Sequence, residues 1–337
     1  MLYELIDRKV IDYAEVVVCL FDHCNLRCAF CPQDHDSKEG ASRNRILSKV
    51  PQIVEWINNN SRSKYFKIHI MGGELFQDYW ISKGFINYYQ EFIDQIREQT
   101  DPEKELVFNF VTNLVFFQWE DVSEFLNKNN LKISVSYDLK GRFTGTHKDK
   151  FKRNIEHFKD RIEMISLVQT KQNINALLKG EDPYFDYLYE LFTVDWDHYL
   201  PSVKIAENMM PKESEILAFY KHLVDHYPKC LNVQHFLNGQ QENKMTCTRG
   251  NSFTVLHDNS VPMGCSGSVL LREGKSIDPS STIIIQNFFD KYNCFQCEYY
   301  SKCPFTCFIK QDYKKIEQDI EGCVFKHTFD YVKDRIR

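Results

Sequence analysis

Three thiols fall within one short run, Cys24-Asn-Leu-Arg-Cys28-Ala-Phe-Cys31. Thiolates on a single loop can hold three irons of a [4Fe–4S] cluster and leave the fourth iron open to another molecule. Zinc is the competing metal, because structural zinc takes a closed set of four ligands. His23 or His35 would supply the fourth donor.

No further cysteine occurs until Cys230. Then Cys247 and Cys265 precede the dense run Cys294-x2-Cys297-x5-Cys303-x3-Cys307, and Cys323 follows. Taken alone, this set could make zinc knuckles or iron–sulfur sites. The compartment bears on whether these thiols are ligands. The first fifteen residues, MLYELIDRKVIDYAE, contain no signal-peptide apolar core, and no apolar run is long enough to span a membrane. Both point to the cytoplasm, where clustered cysteines are ligands more often than disulfides. Cys19, inside an apolar run, reads as core, and Cys230, after a helix, as a buried thiol. A net charge of -5 without a Lys/Arg run argues against nucleic acid or anionic membrane as partner.

Elements that could position these groups follow from the hydrophobic pattern. Strand-like runs lie at 14–21, 66–71, 106–112, 133–137, 162–168 and 198–203, with helical stretches between them at 46–59, 85–99, 121–129 and 150–158. Such alternation predicts βαβ units and a parallel sheet. Six units are too few for a closed eightfold barrel, so the expected fold is α/β, a partial (β/α)6 TIM barrel over residues 1–212. A small loop-rich, cysteine-dense iron–sulfur domain is expected over 213–337, with a bridging helix at 213–227 and a C-terminal helix. A hairpin is expected where 252–257 and 261–263 flank Asp258-Asn259-Ser260. In parallel barrels, chemistry sits on loops after the C-terminal strand ends.

The C-x3-C-x2-C spacing, with Phe30 before the last cysteine, resembles the signature of the radical S-adenosylmethionine (SAM) superfamily. Further segments resemble that family's motifs in order, each after a predicted strand. Met71-Gly72-Gly73-Glu74 is similar to its GGE segment. Thr112-Asn113 is similar to the start of its TNG segment, with Leu114 in place of glycine. Ser136 and Asp138 match its serine- and aspartate-containing strand end, and Val168 and Thr170 end the next strand. The resemblance implies that the open iron binds SAM, that one electron cleaves it to a 5′-deoxyadenosyl radical, and that Phe30, Gly72, Gly73, Glu74, Thr112, Asn113, Ser136, Asp138, Val168 and Thr170 surround the cofactor.

The later cysteines resemble the SPASM extension of radical SAM peptide modifiers, with Ser260 at its usual glycine. That resemblance implies two auxiliary [4Fe–4S] clusters, three in all. Cys294, Cys297, Cys303 and Cys323 would hold the distal one, and Cys247, Cys265 and Cys307 the nearer one, which is left a ligand short. Cys230 could fill that place, or it stays open. The implied substrate is a peptide or protein, oxidatively crosslinked within a ribosomally made precursor, with a flavodoxin- or ferredoxin-type electron donor. The first cluster begins too early for a preceding leader-binding module, so a separate protein or the barrel itself would recognise a leader. Alternatives are formylglycine formation on a sulfatase, where the family carries Asp and this chain has Ser266, oxidation of a small molecule, and a non-enzymatic cluster carrier. Tyr137, Arg142, His147 and Asp195 lie near predicted strand ends and are the substrate-side candidates, although structural or solvated roles are commoner for each. Glu15 and His257 carry no comparable signal.

Overall fold

The computed structural model describes residues 13–31, 33–199, 207–238, 251–262, 282–303 and 319–336. Seven strands, β1 (Tyr13–Cys19), β2 (Tyr65–Met71), β3 (Glu105–Thr112), β4 (Lys132–Ser136), β5 (Ile162–Val168), β6 (Thr193–Asp197) and β7 (Ser252–Val255), form one sheet in the order β6-β5-β4-β3-β2-β1-β7. Every neighbouring pair is parallel. The sheet curls into an open half-barrel, as expected of a partial (β/α) barrel.

Side-chain alternation explains the curl. Ala14, Val16, Val18, Phe66, Ile68, Ile70 and Phe110 point outward and are fully or almost fully buried beneath helices. Those helices include α1 (Val50–Asn59), α2 (Phe85–Gln99), α3 (Trp119–Lys128), α4 (His147–Phe158), α5 (Lys171–Leu178) and α6 (Tyr184–Leu191). In α1, Val50, Ile53, Val54 and Ile57 recur on one stripe, and Trp56 stacks on Phe253 of β7 with ring centroids 5.2 Å apart. Phe76, Tyr89, Phe110 and Phe125 pack ring against ring between β3 and its helices, which is where part of the high aromatic content goes.

Beyond the barrel, α7 (Glu213–His226) lies against α5, α8 (Leu231–Asn238) and the C-terminal α10 (Val324–Ile336), while α9 (Thr282–Lys291) precedes the dense cysteine run. Asp225 joins α7 to α10 by accepting from Tyr331 Oη at 2.7 Å and pairing with Arg335. Asn232 of α8 both donates to and accepts from the Trp196 backbone, at 2.9 and 2.8 Å. That pair satisfies the outer edge of β6, which would otherwise expose unpaired backbone groups.

Two sequence expectations need correction. The sixth strand lies at Thr193–Asp197, ahead of the expected 198–203, of which 200–203 lie outside the described residues. Its outward Val194 and Trp196 are separated by an inward acid, so it lacks the apolar run that marks the earlier strands. Residues 252–255 are not one arm of a hairpin among the described residues: they form β7, parallel to β1. The turn itself does form, with the Leu256 N–H donating to Ser260 O at 3.0 Å. The residue at positive φ is Asn259, at 68°, so Ser260 needs no glycine-like conformation. Lys49, just ahead of α1, clamps this turn. Its fully buried ammonium donates to Leu256 O, His257 O and Asn259 Oδ1 at 2.9, 3.1 and 2.6 Å. Desolvation pushes its pKa down to about 8.

Candidate functional site

At the C-terminal ends of β1 to β4, a cavity of about 270 Å³ is lined by Cys24, Cys28 and Cys31, by Gly72 and Gly73 after β2, and by Thr112, Asn113 and Ser136 from β3 and β4. Phe30 and Arg142 complete that wall, and Cys19, Asp22, His35 and His257 contribute as well.

The cysteine loop is held in place by backbone contacts and one amide network. Gly73 N–H donates to Phe21 O at 2.8 Å, Glu74 N–H to His23 O at 3.0 Å, and Gln33 Nε2 to Gly72 O at 2.7 Å. A Cβ on Gly73 would overlap the carbonyl oxygens of His23 and Asp22, so glycine is required for β2 to approach this loop. On the opposite side, Asn113 Nδ2 donates to Asn25 Oδ1 at 2.9 Å, and Asn25 Nδ2 to Val115 O at 2.6 Å.

Leu114, which stands where the TNG segment resembled by Thr112-Asn113 has glycine, takes a left-handed conformation, φ 55°, with its side chain fully buried. A non-glycine residue there costs about 1–2 kcal/mol. The Leu114 N–H bond to Thr112 Oγ1 at 3.1 Å and the Asn154 amide on Leu114 O at 2.9 Å help hold it.

The remaining expected site residues divide by position. Glu74 is buried, and its carboxylate accepts from Phe76 N–H, Thr112 Oγ1 and Asn113 N–H at 2.9, 2.8 and 2.5 Å, so it ties β2 to β3. Desolvation raises its pKa against those three bonds. Asp138 is paired with Arg142, which lies over the Phe30 ring at 5.3 Å. Val168 O accepts from Thr170 N–H and from Asn173 Nδ2, and Thr170 Oγ1 caps α5 through Asn173 N–H at 3.1 Å.

Among the substrate-side candidates, Arg142 reaches the cavity. Tyr137 is fully buried among Phe143, Phe151 and Tyr184, and its hydroxyl bonds Asp182. His147 begins α4, 3.3 Å from Thr144 Oγ1, and Asp195 sits inside β6. Asp22 and His257, 3.4 Å apart at Oδ1 and Nδ1, were not singled out from sequence. Both lie within three residues of a strand's C-terminal end, and reading 252–255 as a parallel strand would have flagged His257 by the strand-end rule.

A second cavity, of about 340 Å³, is lined by Cys294, Cys297, Cys303 and Cys323 together with aromatic residues including Tyr292, Tyr299 and Phe329. Burial pushes Cys294 up to about 12 and raises Cys323. In the first cavity desolvation likewise pushes Cys24 up to about 12 and Cys31 up to about 11, and raises Cys28. Cys247, Cys265 and Cys307, and Ser266, lie outside the described residues. Cys230 is buried at the start of α8, and desolvation pushes it up to about 12.

The ligand types present, thiols with His35 on the cavity wall, suit either zinc or iron. Zinc–sulfur bonds of about 2.3 Å place tetrahedral ligands only about 3.8 Å apart. Among the described residues, no three Cys, His, Asp or Glu side chains converge tightly enough for one metal ion. Three thiols of one loop suit three irons of a polynuclear cluster, with the fourth corner left open. His23, one candidate for a fourth zinc ligand, is turned toward Gln77 and packed on Trp80.

The architecture is thus a partial parallel barrel with a three-thiol cavity at its strand ends. It is similar to anSMEcpe with bound AdoMet and Cp18Cys peptide, at TM-score 0.64 and 18% identity, over 96% of this chain and 98% of that one. It is also similar to Streptococcus suis SuiB bound to precursor peptide SuiA, at TM-score 0.53 and 14% identity, over 96% of this chain and 78% of that one. At these identities the likeness establishes a shared fold. No family model matches the chain, and no curated protein matches it. No helix among the described residues is long and apolar enough to cross a membrane.

Proposed function

We propose that this chain is a radical SAM enzyme that modifies a peptide, most specifically by oxidative crosslinking within a ribosomally made precursor. The observation that carries the reading is the first cavity, where three thiols from one loop meet glycines and polar groups from three successive strand ends. Cys24, Cys28 and Cys31 would hold a [4Fe–4S] cluster. When bound, that cluster supplies the electron that cleaves SAM and so starts hydrogen abstraction from the substrate. Gly72 and Gly73 leave the backbone open to a close-lying cofactor, Phe30 and Arg142 wall one side, and Ser136 offers a hydroxyl. Cys294, Cys297, Cys303 and Cys323 would hold an auxiliary cluster, and Cys247, Cys265 and Cys307 a second. Peptide complexes of two structures sharing the fold support a peptide as substrate.

Anaerobic reconstitution with iron and sulfide, followed by reduction in the presence of SAM, tests the reading. 5′-Deoxyadenosine should form with methionine as co-product. Its absence from protein carrying a full iron load would leave a cluster carrier as the better description.

A further inference from the structure

The outer side of the first cysteine loop carries cations and rings that the proposed chemistry does not use. Cys24 and Cys28 are 8% and 6% exposed, yet Arg27 and Ala29 beside them are exposed. The thiols therefore lie a single loop's thickness below the surface. Two exposed aromatic rings flank that loop. Tyr79, 43% exposed, sits beside His23, the residue before Cys24, with ring centroids 6.0 Å apart. Phe117, 53% exposed, lies two residues beyond Val115, whose carbonyl accepts from Asn25 of the cysteine loop. Asp78 ties the two rings' loops together, its Oδ1 accepting from Phe117 N–H and Gln118 N–H at 2.7 and 2.9 Å.

Each ring carries positive charge. Lys38 Nζ stands 4.6 Å from the Tyr79 ring centroid and donates to its hydroxyl at 3.2 Å. Lys150 Nζ and the Arg153 guanidinium stand 3.8 and 5.3 Å from the centroid of Phe117. Ring faces attract such cations and hold them in place. No carboxylate among the described residues pairs with Lys38, Lys150 or Arg153. Acids border the face, with Asp36 paired to Arg27 and Glu120 and Asp121 in the first turn of α3, so the positive area is small. On a chain of net charge -5, an acidic partner is repelled in general, and a small cationic face then selects its orientation.

Resting on the radical SAM reading above, we propose that this face docks a small acidic one-electron carrier protein, a flavodoxin or ferredoxin. The carrier is oxidised by one electron as a cluster at Cys24, Cys28 and Cys31 is reduced by one. Position decides between this partner and the substrate. A peptide must reach the cavity itself, on the inner side of the thiols. A protein seated on the outer side of their loop can deliver an electron through it, and nothing larger. The two rings supply apolar contact area, and the three unmatched cations supply attraction and orientation.

Two acidic carriers, a flavodoxin and a [4Fe–4S] ferredoxin, test this against reduced methyl viologen, a small cationic reductant. Binding of each oxidised carrier to the full-length reconstituted protein would be followed by isothermal titration calorimetry. 5′-Deoxyadenosine formation from SAM would be measured with each reductant on the same batch. At least one carrier should bind and drive the reaction. Its binding should weaken as salt rises from about 0.01 to about 0.15 M, where the screening length falls from about 30 to about 8 Å. Lys150→Glu with Arg153→Glu should weaken binding and slow carrier-driven 5′-deoxyadenosine formation about ten-fold or more. Lys38→Glu, at the other ring, should act in the same direction. Viologen-driven formation should stay at the parent level in both variants, which shows them folded and loaded. Lys291→Glu with Lys302→Glu, beside the second cavity, should leave carrier binding unchanged. Failure of both carriers to bind the parent, indifference to the first two variants, or loss in the second-cavity variant instead overturns the docking face. Binding of the acidic peptide Ac-Glu-Gly-Glu-Gly-Glu-NH2 where neither carrier binds would also overturn it and assign the face to substrate. Absence of viologen-driven 5′-deoxyadenosine from fully loaded parent would sink the radical SAM reading, while the binding arm still decides on the face.

Discussion

The two thiol-lined cavities are built in opposite ways. Around Cys24, Cys28 and Cys31, the walls are strand ends and loops locked by backbone hydrogen bonds, a glycine contact and the Asn25–Asn113 network. Around Cys294, Cys297, Cys303 and Cys323, they are a short helical turn and loops set between α9 and α10, faced by aromatic rings. The first site is a product of the barrel and should keep its shape without metal. In the second, all four thiols sit on turns and loops between α9 and α10, so metal binding and local folding of that segment should be one event there. The contrast also fits a division of labour, with three donors where an exogenous ligand must bind and four where closure is wanted.

The largest expected effect separates the sites by activity. Cys28→Ala should cut 5′-deoxyadenosine formation at least 100-fold while the thermal unfolding of the barrel stays near that of the parent. Wild-type yield would break the ligand assignment. Metal removal should then act on structure, in the other cavity. Anaerobic chelation should expose residues 282–303 to limited proteolysis and leave β1 to β6 protected, as judged by fragment mass. Equal protection of both regions would remove the distinction.

A smaller effect sharpens the role of the scaffold. Gly73→Ala should destabilise the metal-free chain by about 3 kcal/mol, at the upper end for overpacking, because backbone rather than a flexible side chain must yield. Chemical denaturation would measure it.

The smallest concerns pH. The Cys24, Cys28 and Cys31 thiols are held above their ordinary 9.0 by desolvation, with Cys24 at about 12. The folded state therefore retains these protons more strongly than the unfolded chain. Their contribution is complete below about pH 9 and is lost as pH rises toward about 12. The melting temperature of metal-free protein should fall over that window more than that of the loaded protein, whose thiolates are ligated. Identical alkaline profiles would argue against thiol burial of this kind.

Much of this architecture was legible because it is local. Strands β1 to β5 carry apolar alternation bounded by turns, and the family-like segments each follow one of them. The sixth strand was placed five residues late because the inward Asp195 and Asp197 of β6 dilute its apolar signal. β7 was misread because a short strand with a good turn beside it looks like a hairpin. Its true partner, β1, lies more than two hundred residues earlier, and no local pattern reports that pairing. Motif spacing brought Gly72, Gly73, Asn113 and Ser136 to one cavity, but it does not say which atom does what. The Glu74 carboxylate faces β3 backbone, Thr170 caps a helix, and Leu114 takes up a glycine-like φ. Those roles depend on neighbours brought in by the fold.

The account rests on a cluster at Cys24, Cys28 and Cys31 with one iron open to SAM. Electron paramagnetic resonance of the reduced protein, with and without SAM, tests it most directly. A [4Fe–4S]+ signal lost in Cys28→Ala and shifted in g-value when SAM is added is the predicted result. Stoichiometric zinc at those three cysteines, or an iron–sulfur signal indifferent to SAM, would contradict it.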